Sequence, residues 1–119
     1  MDIEELQQRL RDFARDRDWE QFHSPKNLAT ALAVEAAELL EPFQWMKEDD
    51  SRNLPSMTHE YAQVKEEIAD VFIYLVRLAD QLHIDLAEAV EHKLARNAEK
   101  YPVDLAKGRS LKYDRLHHE

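Results

Sequence analysis

EEIADVFIYLVRLA, residues 66–79, is the stretch whose reading decides the fold. Val64, Ile68, Val71, Leu75 and Leu82 recur at helical spacing and mark a core stripe, while Ala69, Ile73 and Val76 make a second apolar side. A narrow polar sector of Gln63, Glu67, Asp70, Tyr74 and Arg77 lies between the two. A helix apolar over most of its circumference is a buried helix. The spacing therefore predicts a third helix over about residues 58–82, with Glu67 and Asp70 pointing into protein rather than open water.

Upstream, LAVEAAELLEPFQW (32–45) sets glutamates inside a run that otherwise reads as core. On a wheel of about 100° per residue, Leu28, Leu32, Glu35 and Leu39 fall on one stripe, and Glu38 sits about 60° around from Glu35 at the stripe's edge. Ser24-Pro25 has the form of an N-cap with proline at the first helical position, so a second helix runs from about residue 25 to 41 and ends at Pro42. Ile3, Leu6, Leu10 and Phe13 mark a first helix over about residues 3–16. Asp85 and Glu88 have capping-box spacing and open a fourth helix that stops at Tyr101-Pro102. KEDDSRNLPS (47–56) reads as a charged loop. The expectation is one all-α domain over 1–119, a bundle of four to five helices with its core at about 3–102. The tail 103–119 is basic around Lys107, Arg109 and Lys112.

Composition agrees. One glycine and four prolines leave little for tight hairpins, and the 119 residues suffice for a core without staples. With no cysteine there is no disulfide framework, thiol catalysis or thiolate zinc site. A net charge of -9 argues against a nucleic-acid backbone as partner. No apolar run reaches membrane-spanning length and MDIEELQQRL is too charged for a signal peptide, so the expected location is cytoplasmic.

Glu35-x-x-Glu38 and Glu67-x-x-Asp70 thus form two acidic pairs on consecutive helices. Four converging carboxylates repel one another and take up protons unless a cation joins them. A hard divalent ion such as Mg²⁺ suits oxygen ligands and shares them with phosphate. Without a Glu-x-x-His pair on these helices, the carboxylate-bridged iron pattern is poorly matched. On the fourth helix Lys93, Asn97 and Lys100 share a face with Leu86, Val90, Leu94 and Tyr101, and such cationic and amide donors suit a polyphosphate. The competing reading is a non-catalytic helical interaction module, its acids tied up by Lys93 and Lys100 in a structural cluster.

Three blocks, FARDRDWEQFHSPKNLATALAVEAAELLEPFQW (13–45), EEIADVFIYLVRLA (66–79) and KLARNAEKYP (93–102), together resemble the MazG-like nucleoside triphosphate pyrophosphohydrolases. Within them the chain is most similar to the single-domain dCTP pyrophosphatase branch. A phosphoribosyl-ATP pyrophosphohydrolase is the alternative within the same superfamily, over which the aromatic block around Trp19 and Trp45 favours the dNTP branch. The resemblance implies the all-α pyrophosphatase fold and hydrolysis of an NTP or dNTP, dCTP or a modified dCTP above others, to the monophosphate and pyrophosphate. It implies Mg²⁺, with Mn²⁺ as a substitute, held by Glu35, Glu38, Glu67 and Asp70. A metal-activated water would be deprotonated by Glu38 beside Glu35. It further implies that Lys93, Asn97, Lys100 and Tyr101 hold the triphosphate and that Trp19, His23, Trp45 and Tyr74 frame base and sugar. Homo-oligomers, built as dimers of dimers with pockets completed by a neighbour, are the assembly it suggests.

Overall fold

The computed structural model describes residues 1–110, so Lys112 and the end of the basic tail lie outside the described residues. Helices α1 (Ile3–Asp16), α2 (Pro25–Leu40), α3 (Glu48–Arg52), α4 (His59–Gln81), α5 (Leu86–Lys100) and α6 (Val103–Ala106) follow in order, with no strand among the described residues. The fold is all-α, as expected. The contacts group into two compact units, Met1–Ile84 and the segment from Asp85 onward. No described helix is long and apolar enough to cross a membrane.

Helix starts follow the side chains that can accept from free backbone N–H groups. Ser24 Oγ accepts from the Asn27 N–H at 3.1 Å, with Pro25 in the first turn, and Asp85 Oδ1 accepts from the Glu88 N–H at 3.0 Å. Asp2 and Thr58 do the same for α1 and α4. Two ends turn through left-handed backbone at Asp18 (φ 54°) and His83 (φ 56°), conformations L-residues take singly to close a helix. After Asp18 the Trp19 N–H donates to the Ala14 carbonyl at 2.8 Å, which swings the Trp19 ring edge-on to Phe13, 5.7 Å between centroids.

Within Met1–Ile84, α4 packs against both α1 and α2. The core is thin: Ala14, Leu28, Val76 and Ala79 are the buried apolar residues among those described. Arg11 of α1 forks onto Asp80 of α4, with Nε to Oδ2 at 2.7 Å and Nη2 to Oδ1 at 2.5 Å, a bidentate pair joining the two helices.

Two expectations are corrected here. Residues 47–56 are not all loop, because Glu48–Arg52 forms a short helix with three acids in its first turn, where negative charge suits the helix dipole. The core stripe assigned to α4 is largely uncovered in the single chain: Ile68 is 54% exposed, Leu75 40% and Leu82 49%, while Val76 is fully buried. A wheel identifies both apolar sides of such a helix but not which one α1 and α2 cover. Leu28 is fully enclosed, so Leu28→Ala should lower unfolding free energy by about 2–5 kcal/mol in urea titration, since both transfer and cavity terms act there.

Candidate active site

Packing of α2 on α4 brings Glu35, Glu38 and Glu67 together, with one oxygen of each within 4.8 Å of the others. All three side chains are half-buried. Glu35 Oε2 and Glu67 Oε2 are buried with no hydrogen-bond partner. Two orphaned carboxylate oxygens facing a third carboxylate are what a cation would satisfy, and three hard oxygen donors suit Mg²⁺ or Mn²⁺. Asp70, one turn beyond Glu67, is exposed and stands outside this trio. The expectation that Asp70 points into protein is therefore not met within the single chain.

Beside the acids, Trp19, His23, Asp70 and Tyr74 line one cavity of about 310 Å³ together with Leu10, Phe13, Ile73 and Arg77. Three of the four aromatic positions expected around a base thus meet at one place, and the left-handed turn at Asp18 is what delivers Trp19 to it. Trp45 does not join them. It is 89% exposed and lines a separate recess with Glu41, Asp49, Asp50 and Glu60, because the turn after Pro42 carries it away from α1.

Lys93, Asn97, Lys100 and Tyr101 belong to the second unit. Asn97 and Lys100 are half-buried on α5, Lys93 is exposed, and Tyr101 closes the helix with its N–H on the Asn97 carbonyl. Val90 and Leu94 on the same helix are 53% and 56% exposed.

Arg77 was legible only as a member of the polar sector of α4. It is 5% exposed, its Nε donates to His23 Nδ1 at 3.3 Å, and its Nη1 lies 3.5 Å from Asp80 Oδ2. The signal available was a cation sharing a narrow sector with Glu67, Asp70 and Tyr74 on an otherwise apolar helix.

The acid trio sets its own protonation. The Glu67 carboxyl within hydrogen-bonding reach, then burial, then Glu38 push Glu35 up to about 7. A carboxyl raised on folding binds its proton more tightly in the folded state, so metal-free stability falls as pH rises from about 4.5 to about 7 and levels above that. Urea titrations of metal-free protein should show this decline, and Glu35→Gln should flatten it.

The chain as a whole is similar to known proteins. The MazG-like family model matches residues 30–116. Mouse (Mus musculus) dCTP pyrophosphatase 1 is 43% identical over 114 residues, covering 96% of this chain and 67% of that protein. Human (Homo sapiens) dCTP pyrophosphatase 1 is 42% identical over 116 residues, covering 98% and 68%. The crystal structure of a pyrophosphatase from Archaeoglobus fulgidus superposes with a TM-score of 0.76 at 45% identity, covering 83% of this chain and 91% of that one. With α4, most of α2 and both acidic helix segments inside the matched region, the chain belongs to the MazG-like family.

Proposed function

We propose that this protein is a nucleotide pyrophosphohydrolase that converts a deoxynucleoside triphosphate, dCTP or a modified dCTP above others, to the monophosphate and pyrophosphate. The observation that carries the reading is the pair of unpartnered buried oxygens on Glu35 and Glu67 beside Glu38. The relatives named dCTP pyrophosphatase supply the substrate class.

Glu35, Glu38 and Glu67 would hold Mg²⁺ or Mn²⁺, with Asp70 as fourth ligand at the mouth of the aromatic cavity. The ion, when bound, neutralises the carboxylates and polarises phosphate oxygens. Glu38, at the edge of the α2 stripe, has room to accept the proton of the attacking water, while Glu35 stays committed to its neighbour Glu67. Trp19 and Tyr74 offer faces for the base and sugar, and His23 offers a ring nitrogen. Lys93, Asn97, Lys100 and Tyr101 are the donors for the triphosphate, a role that rests on the family resemblance of their segment.

The same reading includes a homo-oligomer, a dimer of dimers. Ile68, Leu75 and Leu82, all on one stripe of α4, are each 40% exposed or more in the single chain, a row of apolar side chains that a second copy would cover. Light scattering on the eluting protein should give four times the 14.1 kDa chain mass, and a monomer would refute this part.

Pyrophosphate release from a panel of dNTPs and NTPs tests the activity. With Mg²⁺, dCTP should be cleaved fastest, EDTA should abolish release, and Glu38→Gln should lower kcat by about 100-fold or more. Mg²⁺ with dCTP should also raise the thermal midpoint by mass action. Silence across the panel, in folded protein that Mg²⁺-nucleotide does not stabilise, would leave the helical interaction module.

A further inference from the structure

We propose that Arg77 is a positioning residue that holds His23 as a neutral imidazole with its proton on Nε2, so that the aromatic cavity presents a hydrogen-bond donor to the acceptor edge of a nucleobase. The inference deepens the reading of that cavity as the base pocket and rests on it.

Arg77 Nε donates to His23 Nδ1 at 3.3 Å. A guanidinium has only donors and keeps its charge at any accessible pH, so the imidazole nitrogen facing it must be the one carrying the lone pair. The remaining proton is then on Nε2. The other neutral tautomer would set N–H against N–H, and the imidazolium would add a like charge beside the guanidinium.

Arg77 imposes this choice because it is itself held from other sides. Its Nη1 faces Asp80 Oδ2 at 3.5 Å, and Asp80 is clamped in turn by the Arg11 fork. The Gln81 amide, turned to satisfy both groups, accepts from Nη1 at 3.3 Å and Nη2 at 3.0 Å. These partners satisfy the buried cation and fix the plane of its fork, which leaves Nε aimed at His23. Burial, and secondly the Arg77 charge, also lower the His23 pKa, which favours the neutral ring. His23 is thereby a donor by default, next to Trp19 (ring centroids 6.4 Å apart) and in the same cavity as Tyr74.

A neutral Nε2–H selects bases by chemistry. Cytosine offers acceptors at its 2-carbonyl and adjacent ring nitrogen, whereas uracil and thymine carry N–H at that ring position and would face donor with donor. Buried polar mismatches of this kind discriminate far better than shape does.

Long-range ¹H–¹⁵N spectra of ¹⁵N-histidine protein read the tautomer directly, with His23 assigned from the signal lost in His23→Gln. Near pH 7, wild-type His23 should show Nδ1 unprotonated and Nε2 as N–H. In Arg77→Met the two tautomers should mix, and KM for dCTP should rise about tenfold while kcat stays within about twofold. A wild-type ring protonated on Nδ1 or on both nitrogens would overturn the proposal, as would imidazole signals and KM unchanged in Arg77→Met. If that variant does not fold, Arg77→Lys, which keeps the charge but not the guanidinium fork, carries the same two readings. Because the spectrum needs no turnover, an enzyme inactive on every dNTP would remove the substrate reading while the tautomer is still measured.

Discussion

Everything in this protein turns on a repulsion: α2 cannot pack on α4 without setting Glu35 and Glu67 against each other, with Glu38 close by. Two of their oxygens are taken from water and receive no donor in exchange. Such an arrangement persists only if a proton or a cation stands between the carboxylates, and the raised pKa of Glu35 expresses the proton alternative. Stability and protonation are therefore coupled through the same three side chains. The packing that holds the helix pair together also creates the need for a proton or a cation between the acids.

The polar sector of α4 organises the rest. Glu67 faces the acid trio, Asp70 and Tyr74 line the cavity, and Arg77 closes it with His23. At about 1.5 Å per residue, this sector passes from anionic to cationic within roughly 15 Å. One helix face thus carries the clustered acids at one end and the aromatic cavity with its buried arginine at the other. The Arg11 fork on Asp80 ties that second end to α1, where Phe13 and the turn leading to Trp19 complete the aromatic wall.

The scarcity of enclosed residues is the other physical constraint. A chain of this length that buries only Ala14, Leu28, Val76 and Ala79 among its described apolar residues has little core of its own. Its two-sided apolar helix explains why. Val76 and Ala79 of α4 are buried in the intrachain packing, whereas Ile68, Leu75 and Leu82 stay exposed in the single chain.

The helices themselves were legible in the residues: apolar spacing located α1, α2, α4 and α5, and Ser24-Pro25 and Asp85 marked where two of them begin, because capping and periodicity are local physics. The acidic pairs were legible for the same reason, since i,i+3 neighbours must share a helix face. The short helix at Glu48–Arg52 was not, being too brief for periodicity to register. Tertiary packing alone decided that Val76 is covered and Ile68 is not, and that Asp70 stands with the cavity rather than the acid trio. It also decided that Arg77 is buried against His23, 54 residues away in sequence. A wheel gives directions around one axis, whereas burial and partnership depend on which neighbour arrives from which side.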